Sequence, residues 1–160
     1  MSTKNRLKTA ILGLGNPILS DDSVGIKVAK RIAKRFPNIQ LIEAAAAGFR
    51  IMDEVVGYDK IILVDSIKTG KSKPGTLHCF SVDDFSKTSL NAPPHDMSFF
   101  EALEIYKQKG EEVPEKIVIY AIEVEEIETF SEKCTEKVES AIPKITKKII
   151  AEQFLSEINK

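Results

Sequence analysis

The sequence predicts an α/β protein: a three-layer α/β/α sandwich on a five-stranded, mostly parallel sheet whose fourth strand runs antiparallel. Three observations lead there. Short apolar runs rich in Ile, Val and Leu recur along the chain and read as strands buried on both faces. Stretches with apolar residues at helical spacing alternate with them, as crossover helices do. The first run also ends in Gly13-Leu14-Gly15-Asn16 and leads within a few residues into a helix, a strand–turn–helix unit.

Each element has its own signal. Residues 9–14 are an apolar run ended by glycine. Val24, Ile26, Val28, Ala29 and Ile32 recur at helical spacing up to Phe36, and Pro37 follows the stop. Residues 39–45 form a second strand and 48–56 a short helix. Residues 60–64, KIILV, read as a buried strand that delivers Asp65 at its C-terminal end. A Lys, Gly and Pro loop over 68–75 precedes the fourth strand at 76–82. That loop is too short for a helical crossover, so the fourth strand should run antiparallel to the third. Residues 85–94 are polar and Pro-containing, hence a loop, and 98–109 carry Phe99, Leu103 and Tyr106 in a helix closed by Gly110. Residues 117–124 form the fifth strand. A long amphipathic helix is expected over 131–158, where Pro143 predicts a kink or a break.

Composition narrows the function. The length of 160 residues suits one domain spanning 1–160, and 42% hydrophobic with 29% charged residues is ordinary globular usage. A net charge of −1 gives no general basic field for nucleic acid or an anionic membrane surface. No apolar run reaches the length of a membrane span and no signal peptide is visible, so a cytoplasmic location is expected. Cys79 and Cys134 form no C-x-x-C pair and read as reduced, partly buried thiols.

The chemistry concentrates where parallel strands end. Residues 11–25 read ILGLGNPILSDDSVG, with Asp21 and Asp22 at a helix start. Exposed N–H groups and the helix dipole attract anions there, but two carboxylates repel a phosphate and can instead hold a cation. Asp65 arrives at the end of the third strand, and His95, in Pro93-Pro94-His95-Asp96, stands in a loop just before a helix. Two carboxylates and an imidazole from three loops make an oxygen/nitrogen metal site with open positions, an arrangement suited to hydrolysis. Taken singly, each piece has an ordinary reading. Asp21 and Asp22 can complement the dipole behind an N-cap at Ser20, Asp65 can shape a turn, and His95 can be a surface histidine. His78, in a strand with no acid nearby in sequence, reads as structural. The glutamates from Glu111 to Glu132 read as a solvated face, or one that meets a basic partner.

Together, GLGNPILSDDSVG, ILVDSI and PPHDMSF, in that order, resemble the hydrogenase maturation endopeptidases. The resemblance covers nearly the whole chain, including Pro74-Gly75 and the segment IEVEEIETFSEKCTEKVESA from Ile122 to Ala141. It implies an endopeptidase that removes a C-terminal extension from a nickel-loaded precursor of the large subunit of [NiFe] hydrogenase. Asp22, Asp65 and His95 are implied to contact the metal and carry the reaction, and Gly13, Gly15, Asn16 and Asp21 to shape the loop. The nickel comes with the precursor, and no organic cofactor is implied. Two positions depart from the family pattern. Ser23 stands where a small residue such as Gly or Ala is common, and Asp22 where many relatives have Glu. The shorter Asp22 needs the backbone about 1 Å closer to reach the same cation.

Three other functions compete with this one. Peptidyl-tRNA hydrolases also open with G-L-G-N-P after a first strand, but their following histidine-bearing segment is absent after Pro17. A nucleotide-binding module lacks its third glycine at the required spacing. A non-enzymatic chaperone that binds the nickel site would share the fold and leave the precursor uncut. No G-x-S-x-G is present and no Cys lies near His95 in sequence, so a covalent intermediate is disfavoured.

Overall fold

The structure, a computed structural model, describes residues 7–45, 49–84 and 94–155, with the backbone alone at 49, 50 and 94–100. Five strands form one sheet: β1 (Thr9–Leu14), β2 (Gln40–Ala44), β3 (Lys60–Ile67), β4 (Leu77–Phe80) and β5 (Lys116–Glu123). The helices are α1 (Val24–Arg35), α2 (Phe49–Val55), α3 (Pro94–Gln108) and α4 (Glu136–Gln153). Strand order is β2-β1-β3-β5-β4. β1 is parallel to β2 and β3, β3 is parallel to β5, and β4 is antiparallel to β5. The mostly parallel sheet expected from the sequence is thus present. β4 does run against β3, but β5 lies between them, because the chain returns through α3 before the last strand is laid down.

Alternation along the strands sorts the core into two layers. Ala10, Leu12, Ile61, Leu63 and Ile119 face Ile51, Met52 and Val55 of α2 and Ala102 and Leu103 of α3. Ile11, Ile62, Val64, Tyr120 and Ile122 face the apolar stripes of α1 and α4. Each fully buried Ile or Leu contributes roughly 1.5–3 kcal/mol relative to exposure. Phe36 and Phe154, at the C-terminal caps of α1 and α4, stack with ring centroids 4.6 Å apart and tie the two helix ends together. No helix among the described residues is long and apolar enough to cross a membrane.

Several boundaries differ from the sequence reading. β3 does not stop at Val64: Asp65, Ser66 and Ile67 continue the ladder opposite Ala121, Ile122 and Glu123 of β5. α3 begins at Pro94, four residues before the expected start, so His95 lies in a first helical turn and not in a loop. Proline suits that place, since the N–H it lacks would find no intrahelical partner there. The rest of the expected loop, 85–93, lies outside the described residues. α4 starts at Glu136, five residues later than expected, and is one helix across Pro143. Burial of Ile142 and Ile145 on either side holds it through the missing hydrogen bond.

Two glycines let these layers close. At Gly13 a Cβ would lie 2.9 Å from Ile26 Cα and 3.0 Å from Ala29 Cβ, so this glycine seats α1 on β1. At Gly25 a Cβ would lie 2.4 Å from the Val64 carbonyl oxygen and 2.8 Å from that of Leu14. Those neighbours are backbone and cannot turn aside. Gly25→Ala should therefore cost about 1–3 kcal/mol or more by overpacking, read as a lower urea midpoint at unchanged m-value. A wild-type midpoint would mean that α1 can lift from the sheet without penalty.

Candidate active site

The loop after β1 is built around a close backbone approach. The Gly15 N–H donates to the Ala44 carbonyl at 3.0 Å, and Gly15 adopts φ +143. A Cβ there would lie 2.0 Å from the Asp22 carbonyl oxygen, so only glycine lets the loop fold back onto the acidic pair. The Asn16 N–H donates to Asp22 Oδ2 at 2.8 Å, and Asn16 Oδ1 accepts from the Ile18 N–H at 3.1 Å. Ser20–Ser23 then form a single 3-10 turn ahead of α1. Ser20 is not an N-cap. It takes φ +48, in the left-handed region, and neither the turn nor α1 has a side-chain cap. The Ser23 hydroxyl instead donates to the Ser20 carbonyl at 2.7 Å.

Asp21 and Asp22 occupy different environments. Asp21 is fully buried. Its Oδ2 accepts from the N–H groups of Glu125 at 3.2 Å and Glu126 at 3.0 Å, and its Oδ1 from that of Thr135 at 2.6 Å. The Thr135 hydroxyl lies 3.1 and 3.0 Å from the two oxygens. Asp21 thus clamps both ends of the 125–135 segment to the start of α1, and Thr135 is the N-cap of α4. Asp22 is half-buried. It accepts one bond on each oxygen, from Asn16 on Oδ2 and from the Ser66 hydroxyl at 2.8 Å on Oδ1. Each oxygen keeps a further lone pair for a cation.

Asp65 is fully buried, and its Oδ1 accepts from the Ser66 N–H at 2.7 Å. It stands just past the Gly13–Val64 pair, level with the C-terminal end of β1. Between Leu63 and Ile67 in the two-residue alternation, it faces the α2–α3 side. Asp22 comes from the α1 side and meets Ser66, the residue beside Asp65. The structure therefore brings Asp22 to the neighbour of Asp65 at one sheet edge. The first turn of α3, which carries His95, belongs to the layer over the Asp65 face; the His95 side chain lies outside what is described. Among the described residues, no three His, Cys, Asp or Glu side chains form a group that could hold a metal ion.

One buried carboxylate escaped the sequence reading. Glu123, grouped there with solvated glutamates, is 1% exposed at the end of β5. It accepts from the Thr69 N–H at 2.8 Å and from the Thr69 hydroxyl, and its Oε1 lies 3.9 Å from His78 Nε2. His78 therefore does have an acidic neighbour, supplied across the β4–β5 pair, and its ring stacks on Phe80. Nothing in the sequence marks Glu123; it is the register of β3 and β5, with Ile67 opposite Glu123, that shows its place. Both cysteines are free; Cys79 is exposed, not partly buried, and Cys134 is half-buried, with burial raising its thiol pKa.

This arrangement has clear relatives. The family model described as hydrogenase maturation protease matches residues 25–152, a span that includes Asp65 and His95 and begins after Asp22. The Hydrogenase 2 maturation protease of Escherichia coli is 23% identical over 126 residues, 76% of each chain. Among solved structures, the hydrogenase maturating endopeptidase HybD from E. coli superposes with a TM-score of 0.80 at 21% identity, covering 94% of both chains. The [NiFe] hydrogenase maturation protease HybD from Thermococcus kodakarensis gives 0.74 at 23% identity, over 92% of this chain and 99% of that one. The architecture is that of the HybD-like α/β proteins. The chain belongs to the hydrogenase maturation protease family.

The two adjacent acids should respond differently to the same substitution. Asp21→Asn sets an NH2 donor against N–H groups that have no other partner, and should cost about 2–4 kcal/mol of stability. Asp22→Asn, at a half-buried position with two donors, should change stability by no more than about 1 kcal/mol. Urea unfolding of both variants is the measurement, and equal losses would remove the distinction.

Proposed function

We propose that this chain is an endopeptidase that removes a C-terminal extension from a nickel-loaded precursor of an [NiFe] hydrogenase large subunit. In this reading Asp22, Asp65 and His95 contact the nickel that the precursor brings. The observation that carries it is the state of Asp22: a half-buried carboxylate with spare lone pairs, held at the sheet edge by Ser66, the residue next to Asp65. Membership of the maturation protease family supports the substrate class.

The residues divide the work. Asn16 and Ser66 each give Asp22 one hydrogen bond, which fixes its carboxylate while leaving it ionic capacity. The buried clamp at Asp21 holds the start of α1, so Asp22 does not move when substrate arrives. Asp65 brings a second carboxylate from the adjacent strand, and His95 an imidazole from the first turn of α3. The substrate's nickel polarises the scissile carbonyl or acidifies a water, and a carboxylate not engaged with the metal accepts the proton. The enzyme needs no resident metal and no covalent intermediate. The acidic mouth suits a substrate whose reactive end carries a cation, and it disfavours phosphate.

Purified protein should shorten a nickel-loaded large-subunit precursor and leave the nickel-free precursor intact, read by mass spectrometry of both. Asp22→Asn and His95→Ala should each slow cutting by on the order of 100-fold, with circular dichroism unchanged. Efficient cutting of nickel-free precursor, or full activity in both variants, would refute the reading. Binding without cutting would make the chain a chaperone.

A further inference from the structure

Beside the candidate site the surface carries two large apolar side chains. Phe130 is 81% exposed and Ile18 is 47% exposed. Their loops are stitched together. The Ser131 N–H donates to the Ile18 carbonyl at 2.9 Å, and the Ser20 N–H donates to the Ser131 carbonyl at 2.9 Å. Leu19 and Ser131 form a parallel bridge, so in register Ile18 stands opposite Phe130. Ile18 is only two residues beyond Asn16, whose N–H holds Asp22.

The aromatic is presented on a fixed loop. Asp21 anchors Glu125, Glu126 and Thr135. Glu126 Oε1 accepts from the N–H groups of Glu128 and Thr129, both at 2.9 Å, and these bonds hold its carboxyl below the usual range. A binding partner would have little left to order here, which favours affinity. Pinned, exposed aromatic side chains are the usual anchors of interfaces.

Charge indicates the occupant. Glu128 and Glu132 are exposed on the same segment, and Glu125, also exposed, pairs with Lys137 at 3.8 Å. A groove of about 540 Å³, lined by Lys133, Cys134, Glu136, Glu139 and Ser140, lies at the start of α4, where Glu139 pairs with Lys27 at 3.4 Å. A second copy bound through the same patch would set these carboxylates against themselves. An anionic membrane would be repelled. A basic protein segment is attracted, and an Arg or Lys can lie over the Phe130 ring with its charge toward the glutamates.

We propose that Phe130, Ile18 and the neighbouring Glu128 and Glu132 form a docking surface for a basic segment of the hydrogenase precursor, next to the site that cuts it. This rests on the function proposed above. The test uses the full chain and a nickel-loaded large-subunit precursor, with binding and cutting measured separately. Phe130→Ala and the double variant Glu128→Lys/Glu132→Lys should each raise Kd on the order of ten-fold or more. KM should rise with them while kcat at saturating precursor stays at the wild-type value. Wild-type binding should weaken with added salt. Unchanged Kd and KM in both variants, with wild-type cutting intact, would overturn the docking surface and leave the protease reading in place. Binding that depends on Phe130 but never leads to cutting would do the reverse. Concentration-dependent dimerisation in sedimentation, abolished by Phe130→Ala, would assign the patch to a second copy and overturn the proposal.

Discussion

The buried carboxylate of Asp21 is the constraint on which the mouth of this sheet depends. It gathers the N–H groups of Glu125, Glu126 and Thr135 around one charge, with the Thr135 hydroxyl beside them. A buried charge is costly unless donors surround it, and these donors would otherwise lack partners at a bend and at a helix start. Each side of the contact solves the other's problem. The result joins the turn before α1 to the segment between β5 and α4, two parts of the chain more than a hundred residues apart. Asp22, the next residue, is thereby fixed in place without being saturated.

Close backbone approach supplies the second condition. Gly13 and Gly25 bring α1 down onto β1 and β3, and Gly15 folds its loop back against Asp22. Without that descent the Asp22 carboxylate would not reach the Ser66 hydroxyl. Gly15 and Asn16 hold the loop tightly against Asp22. Packing and site chemistry are therefore one problem in this part of the molecule.

What could be read from the sequence follows from which interactions are local. The strands and the mostly parallel sense of the sheet were legible, because apolar runs of strand length alternate with helical periodicity. The acidic pair stood out at a helix start after a glycine turn, and Asp65 because it ends an apolar run. The opposite environments of Asp21 and Asp22 were not derivable from the chain itself, since the donors to Asp21 are backbone N–H groups far away in sequence. Glu123 was misread for a similar reason: only strand register shows that it closes on Thr69 and approaches His78. α4 was started too early because residues 131–135 have helical composition, while the bridge to Leu19 and the bonds to Asp21 claim their backbone first. Tertiary contacts overrode local preference there.

Two electrostatic features of the same edge now take on distinct meanings. A saturated acid such as Asp21 acts through geometry, because every direction around it already holds a donor. A half-buried acid such as Asp22, with one donor on each oxygen, keeps lone pairs through which its charge can act. The exposed glutamates of the 125–132 segment extend that negative field outward from the site along a loop whose shape Asp21 itself sets. One buried acid therefore holds the open carboxylate and the neighbouring loop in register.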